Sequence, residues 1–228
     1  MLLRADFREP IVFATDELPW VDSPMPGVRR RRLDRIGDEV ARATSIVRYE
    51  PGSAFSAHTH GGGEEFYVLD GTFRDEHGTY PAGSYVRNPP GSRHTPSAPD
   101  GCVLFVKLWQ MDLDDQETRR VLDAAGRVVD RPGERVRIDR WAPTDEVPPL
   151  APPGGLELFV LGGSLRWTGV SPTTLGRGGW IRLPGGTPSP LTVGPEGAHV
   201  YLKTGRVDGA ADHFRRLGGQ VARPEGPA

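Results

Sequence analysis

An all-β fold made of two related halves is what this sequence predicts, and three observations predict it. Its 228 residues include 30 glycines and 23 prolines, a density of turn formers that a helical protein does not tolerate. Its apolar runs are short and end in Gly, Pro, Asn or Asp, the punctuation of strands. Finally, three blocks recur in the same order. Phe66-Tyr-Val-Leu-Asp-Gly71 is echoed by Leu158-Phe-Val-Leu-Gly-Gly163, Gly83-Ser-Tyr-Val-Arg-Asn-Pro89-Pro-Gly91 by Gly178-Gly-Trp-Ile-Arg-Leu-Pro184-Gly-Gly186, and Gly101-Cys-Val-Leu-Phe-Val-Lys107 by Gly197-Ala-His-Val-Tyr-Leu-Lys203.

Composition bounds the function. A formal charge of -2 and a pI near 6.3 provide no global field to recruit nucleic acid or an anionic membrane. The single Cys102 excludes a disulfide within the chain and any cysteine-based zinc site, as suits a reducing compartment. The first residues lack the charged start, apolar middle and small-residue cleavage site of a signal peptide, and no apolar run approaches the ~20 residues of a membrane span. A cytoplasmic protein is expected.

In chain order, Pro10 to Phe13 reads as a strand, and a proline-broken turn follows around Pro19 to Gly27, leaving Trp20 as a core or oligomer contact. Val28 to Ile36 reads as an outer strand in which Arg29 to Arg32 form a solvated or salt-bridged face. Ala43 to Tyr49 is the next strand, with either Arg48 or Tyr49 facing inward. It feeds the Pro51-Gly52 turn and a strand carrying His58 and His60, whose side chains leave from the same face because they are two apart.

Gly61 to Gly63 permit a bend. Glu64 then precedes the buried strand Phe66 to Leu69, which pairs with Gly71 to Asp75. Asp75-Glu-His-Gly78 is a turn that leaves His77 in solvent. Gly83 to Arg87 is a further strand, and the Pro89-Pro-Gly91 turn delivers His94. The strand Cys102 to Trp109 holds Cys102 as a small buried hydrophobe, while Lys107 reads equally as a cavity-lining cation or an edge residue.

His58, His60, Glu64 and His94 thus offer three imidazole nitrogens and a carboxylate. That donor set suits one divalent first-row metal. In an octahedron it leaves two positions for water, substrate or dioxygen, an open site of the kind that does chemistry.

At these residues the sequence resembles the cupin family of small jelly-roll (double-stranded β-helix) barrels. Gly52, His58, His60, Glu64 and Gly71 fill the fixed places of the first cupin motif, and the six-residue gap to Gly71 selects Glu64 rather than Glu65. Gly83, Pro89, Gly91 and His94 fill the second motif, in which Ala98 stands where asparagine, not a ligand, is usual. Glu65 is then a residue supporting the ligands or one turned away from the cavity. Gly-Gly-Gly-Glu64-Glu-Phe66, Phe73 to Gly78 and Gly101 to Lys107 are similar to the sub-family named for the cupin domain of ChrR-type anti-sigma factors, over residues 28 to 110.

The resemblance implies two tandem cupin barrels, 1–118 with the metal and 119–228 without it. Met111 to Gly133 reads as a connector opening on Asp112, Asp114 and Asp115, with Thr118 to Ala125 as a short helix or part of a hairpin. In the second half Leu150, Pro152, Leu156 and Ser189 fall where His58, His60, Glu64 and His94 stand, and His199 reads as structural. Asp208 to Leu217 has the spacing of a short amphipathic helix closed by Gly218, with His213 exposed, and the tail from Arg223 reads as frayed.

The resemblance further implies a non-haem dioxygenase-like enzyme with one metal per chain, iron(II) first and zinc, nickel or manganese as alternatives. Its substrate would be a small oxygen-bearing organic compound, such as a β-dicarbonyl. The alternative is a metal-dependent sensor module without turnover. Either form would be a monomer or homodimer that binds a small molecule and neither nucleic acid nor membrane.

Overall fold

The computed structural model describes residues 1–143, 145, 147 and 150–218, so the tail from Arg223 lies outside the described residues. Among the described residues the fold is all-β apart from one short α-helix and a 3-10 turn, and every strand pairing is antiparallel. The chain forms two compact units built from interleaved segments. Among the described residues one comprises 1–5, 18–123 and 211–218, the other 6–17 and 124–210.

In the first unit the main sheet runs Leu2–Leu3, Val28–Gly37, Ala41–Tyr49, Cys102–Leu108, Glu64–Asp75, Tyr85–Asn88, Arg119–Val121. A second face is built from short pairs. His58–His60 lies against Ser92–His94, and Ser97–Ala98 bridges Ser53–Ala54 to Arg74. Between these layers sits a core of Val28, Val47, Phe66, Val68, Phe73, Tyr80, Val86, Leu104 and Val106. Gly71 shows why a motif glycine is needed: its φ is +69°, and a Cβ there would lie 2.3 Å from the Gly101 carbonyl.

The second unit repeats this order as Gly126–Arg131, Glu134–Trp141, Leu191–Thr204, Leu156–Trp167, Gly179–Leu183, with Ile11–Ala14 at the edge. Leu150 pairs with Ser189, just as His58 pairs with His94 in the first unit. Leu156 belongs to an apolar core with Leu158, Val160 and Ile181, and Leu150 packs against it. Where the first unit collects imidazoles, the second collects aliphatic side chains.

The repeat also extends to a buried polar set. Glu65 pairs in register with Arg87 and Lys107, and Glu157 with Arg182 and Lys203. Tyr85 donates to Glu65 (3.0 Å), and Trp180 Nε1 donates to Glu157 (2.8 Å).

Lys107 is therefore neither a cavity-lining nor an edge residue. It is 1% exposed and donates to Thr44 Oγ1 at 3.3 Å. Asp115, read from sequence as the start of a connector, is fully buried against Arg87, and Arg119–Val121 extends the sheet as a strand.

The helix spans Ala210–Arg216 and ends at Gly218, whose φ is +86°. Phe214 is its buried face and packs edge-on against Trp109. His213 is half-buried rather than exposed, with Nε2 3.4 Å from the Met111 carbonyl, because the apolar seat of Phe214 draws its neighbour down. Among the described residues no helix is long and apolar enough to cross a membrane.

Candidate metal centre

The three imidazoles named by the motif spacing come together. His58 and His60 share one face of their strand, and His94 lies directly across the ladder from His58. Their ring centroids form a nearly equilateral triangle, with sides of 4.8, 4.8 and 5.0 Å and interplanar angles of 71° to 73°. His60 Nε2 and His94 Nε2 are 2.9 Å apart, and both approach Glu64 Oε2, at 3.3 and 3.6 Å.

Two donors at right angles on one ion, with bonds of about 2.05 Å, stand about 2.9 Å apart. Two hydrogen bonds leave lone pairs facing this space. His94 Nδ1 lies 3.1 Å from Asp75 Oδ2, and His58 Nδ1 lies 3.1 Å from the Ser56 carbonyl. Each Nδ1 donates, so each Nε2 is free to bind. Converging lone pairs and a carboxylate repel one another unless a cation lies between them, so the donor set fits a metal. Three His here could hold such an ion.

Residues that the sequence did not single out hold this set in place. Asn88, directly opposite Glu64 in the ladder, donates to Glu64 Oε2 at 3.1 Å and accepts from Arg120 at 3.0 Å. Asp75 performs two tasks, because Oδ1 accepts the His77 and Gly78 amides while Oδ2 takes His94. Burial opposes ionisation of Asp75, yet the His94 and His77 hydrogen bonds outweigh it and hold the carboxyl below its ordinary range. Burial likewise opposes charge on both buried imidazoles. It prevails at His60, which is pushed down, whereas the Asp75 and Glu64 carboxylates overcome it at His94, which is raised. His77 stays exposed in its turn. Glu65 faces away from the ligands, toward Tyr85 and Arg87.

Asparagine at position 75 keeps the shape and loses the charge behind His94. Chelator competition should then show metal affinity lower by about 10- to 100-fold, with unchanged stoichiometry at saturating metal.

The glycine run serves packing more than bending. Only Gly63 has positive φ. At Gly62 a Cβ would meet the Trp109 indole at 2.3 Å, and at Gly61 at 2.9 Å. Trp109 itself is held at φ 58°, a conformation that costs a residue with a Cβ about 1 kcal/mol or more. Its indole lies across the loop that joins His60 to Glu64 and fixes their separation.

A cavity of about 340 Å³ opens beside the imidazoles. Its lining includes Tyr49, Phe55, Val106 and Trp109, together with Arg30 and Arg35. Tyr49 is thus the inward residue, and Arg48 lies outside, 4.3 Å over the Trp20 ring. Arg30 departs from the reading of the arginine run as a solvated or salt-bridged face, because alternation turns it toward the cavity, whereas Arg29, exposed and paired with Asp22, fits that reading. Cys102 is 4% exposed, and burial pushes its thiol up to about 12, so it remains an unreactive part of the core.

Residues 8–112 match the family model of the ChrR cupin-like domain. The chain has the cupin fold. Solved structures of the same fold are similar along nearly the whole chain. Ylba of E. coli has 16% identity and a TM-score of 0.67, over 88% of this chain and 93% of that one. The bacterial pirin YhhW of Escherichia coli, in complex with nickel(II), has 14% identity and a TM-score of 0.63, over 86% and 98%. A protein of Nostoc punctiforme, provisionally described as a dioxygenase, has 14% identity and a TM-score of 0.60, over 96% and 88%. At such identities the likeness establishes the fold alone. No curated protein matches the sequence.

Proposed function

We propose that this cupin is a mononuclear metal-dependent enzyme of the dioxygenase kind, acting on a small oxygen-bearing organic compound. The observation that carries this reading is the convergence of three imidazole nitrogens and one carboxylate beside a cavity, with fewer protein donors than a six-coordinate ion needs. His58, His60, Glu64 and His94 are the proposed ligands. Iron(II) is the first candidate, and the nickel held by the pirin relative keeps nickel among the alternatives, with zinc and manganese.

A bound ion would supply Lewis acidity and a template for two reactants. The chain's own residues do the rest. Asn88 fixes the Glu64 carboxylate and Asp75 fixes the His94 ring. Phe55, Val106, Leu108 and Trp109 give the cavity apolar walls. A β-dicarbonyl, with two oxygens spaced to occupy adjacent positions, is the proposed substrate class.

The second unit, with Leu150, Pro152, Leu156 and Ser189 at the corresponding positions, is proposed to hold no metal.

The match to the ChrR cupin-like domain favours a second reading, a metal-dependent sensor that binds its ligand without turning it over. Elemental analysis of tag-free protein followed by oxygen-electrode assays with β-dicarbonyls separates them. Metal-dependent oxygen uptake with stoichiometric product supports the enzyme. Saturable ligand binding with no oxygen uptake overturns it in favour of the sensor.

A further inference from the structure

We propose that the compound admitted to this cavity is an organic anion, a small carboxylate whose charge is taken by the Arg30 guanidinium. This deepens the proposed function and rests on it for the metal end of the ligand.

The ladder determines which arginines face inward. Arg30 stands opposite Val47, Arg32 opposite Ser45 and, beyond a bulge, Arg35 opposite Ala43. Cross-strand partners share a face, and Val47, Ser45 and Ala43 all line the cavity, as do Arg30 and Arg35 themselves. The alternate residues, Arg29 and Arg31, go to the other face and find partners there. Arg29 bonds Asp22 at 3.1 Å, and Arg31 stacks 4.6 Å over Trp20.

The inward arginines are short of counter-charge. Arg35 is spent on the carbonyls of Gly37 and Asp38. Among the described residues the Arg32 guanidinium reaches only the Met1 sulfur, at 3.9 Å. Among the described residues Arg30 makes no hydrogen bond or ion pair, and its Nε is buried without an acceptor. Burial depresses the Arg30 pKa, and the neighbouring Arg32 adds to this, while Tyr49 acts against them without prevailing. Burial, Arg32 and Arg30 likewise depress that of Arg35.

Neither carboxylate in the lining relieves this charge. Glu64 is committed to Asn88 and the imidazoles, and Glu39 is exposed and forms no ion pair among the described residues. A guanidinium stays ionised at neutral pH, so this wall carries fixed positive charge in a partly desolvated place. The Tyr49 hydroxyl, also in the lining and without a hydrogen-bond partner among the described residues, supplies a neutral donor. Burial, with Glu64 nearby, raises its pKa and keeps it protonated. One planar cation and one hydroxyl form a carboxylate clamp, and a cavity of about 340 Å³ limits the ligand to a small one.

Calorimetric titration of malonate and its neutral analogue malonamide tests this on both metal-loaded and chelator-treated protein. Malonate should bind more tightly than malonamide. Arg30→Gln should weaken malonate by about 10- to 100-fold while leaving malonamide affinity and metal stoichiometry unchanged. Arg30→Lys should recover part of the loss, and Arg29→Gln, which removes the same charge from the outer face, should change nothing. Equal binding of the two probes by the wild type, or unchanged malonate affinity in Arg30→Gln, overturns the proposal. Absence of metal from the protein would sink the metal reading instead, and Arg30-dependent preference for malonate in the chelator-treated protein would still decide the anion site.

Discussion

Alanine in place of His94 should give a folded protein that takes up no metal, where the wild type should take up about one ion per chain. The ring is 2% exposed and provides one corner of the imidazole triangle. Its loss leaves two nitrogens and a carboxylate, and also strips the partner from Asp75 Oδ2. The variant should therefore lose about 1–3 kcal/mol of stability even without metal. His58→Ala separates these effects, because His58 is only half-buried and its Nδ1 bonds a single backbone carbonyl. It should lose the ion with little structural cost. Thermal melts with and without added metal read both quantities together. A ligand present at a thousand times its dissociation constant stabilises the native state by about 4 kcal/mol, so the wild-type midpoint should rise on metal addition and neither variant's should. Retention of a full equivalent of metal by either variant would remove that histidine from the site.

What the sequence revealed of this centre follows from how local each signal is. His58 and His60 are adjacent on one strand, and their convergence needs only the two-residue period. His94 and Glu64 were legible because turn residues announce them. Gly91 N donates to the His60 carbonyl at 2.9 Å, so the Pro-Pro-Gly turn ties the two motifs together. Asp75 and Asn88 were not legible, because their work depends on cross-strand register, and Asn88 meets Glu64 only through the pairing of two strands. Arg30 was missed for a different reason. The run Arg29 to Arg32 looks uniform in sequence, and only the ladder assigns alternate members to the cavity and to the outside. Gly61 and Gly62 were assigned to a bend when their role is to leave room for Trp109, a contact some forty-seven positions away in the chain, by the difference of residue numbers. The edge strand Ile11–Ala14 was recognised as a strand, but nothing local indicates that its partner is Gly179–Leu183.

The largest expected loss of stability lies away from the ligands, at Arg87. Its side chain is fully buried and its two terminal nitrogens bond Glu65 Oε2 (3.1 Å) and Asp115, both also buried. Methionine fills similar space and removes the cation, so Arg87→Met takes from the buried Glu65 and Asp115 carboxylates the guanidinium that bonds them both. The Tyr85 hydroxyl still donates to Glu65 and the Glu117 amide to Asp115, but neutral donors do not replace the charge that bridged the two anions. Breaking a buried pair by removing one partner costs about 3–5 kcal/mol, a large share of the roughly 5–15 kcal/mol that holds an ordinary domain together. Urea unfolding should show a midpoint shift of that size for Arg87→Met. The combined change Arg87→Met, Glu65→Gln, Asp115→Asn should recover most of it, because the penalty lies in the uncompensated charge and not in the missing contacts. If the single and combined variants are equally unstable, the network acts through shape rather than charge. The ion should survive in whatever fraction of Arg87→Met remains folded, since Glu65 faces away from the imidazoles and contributes no donor to them. Stability and metal content should therefore part company here, whereas at His94 they fall together.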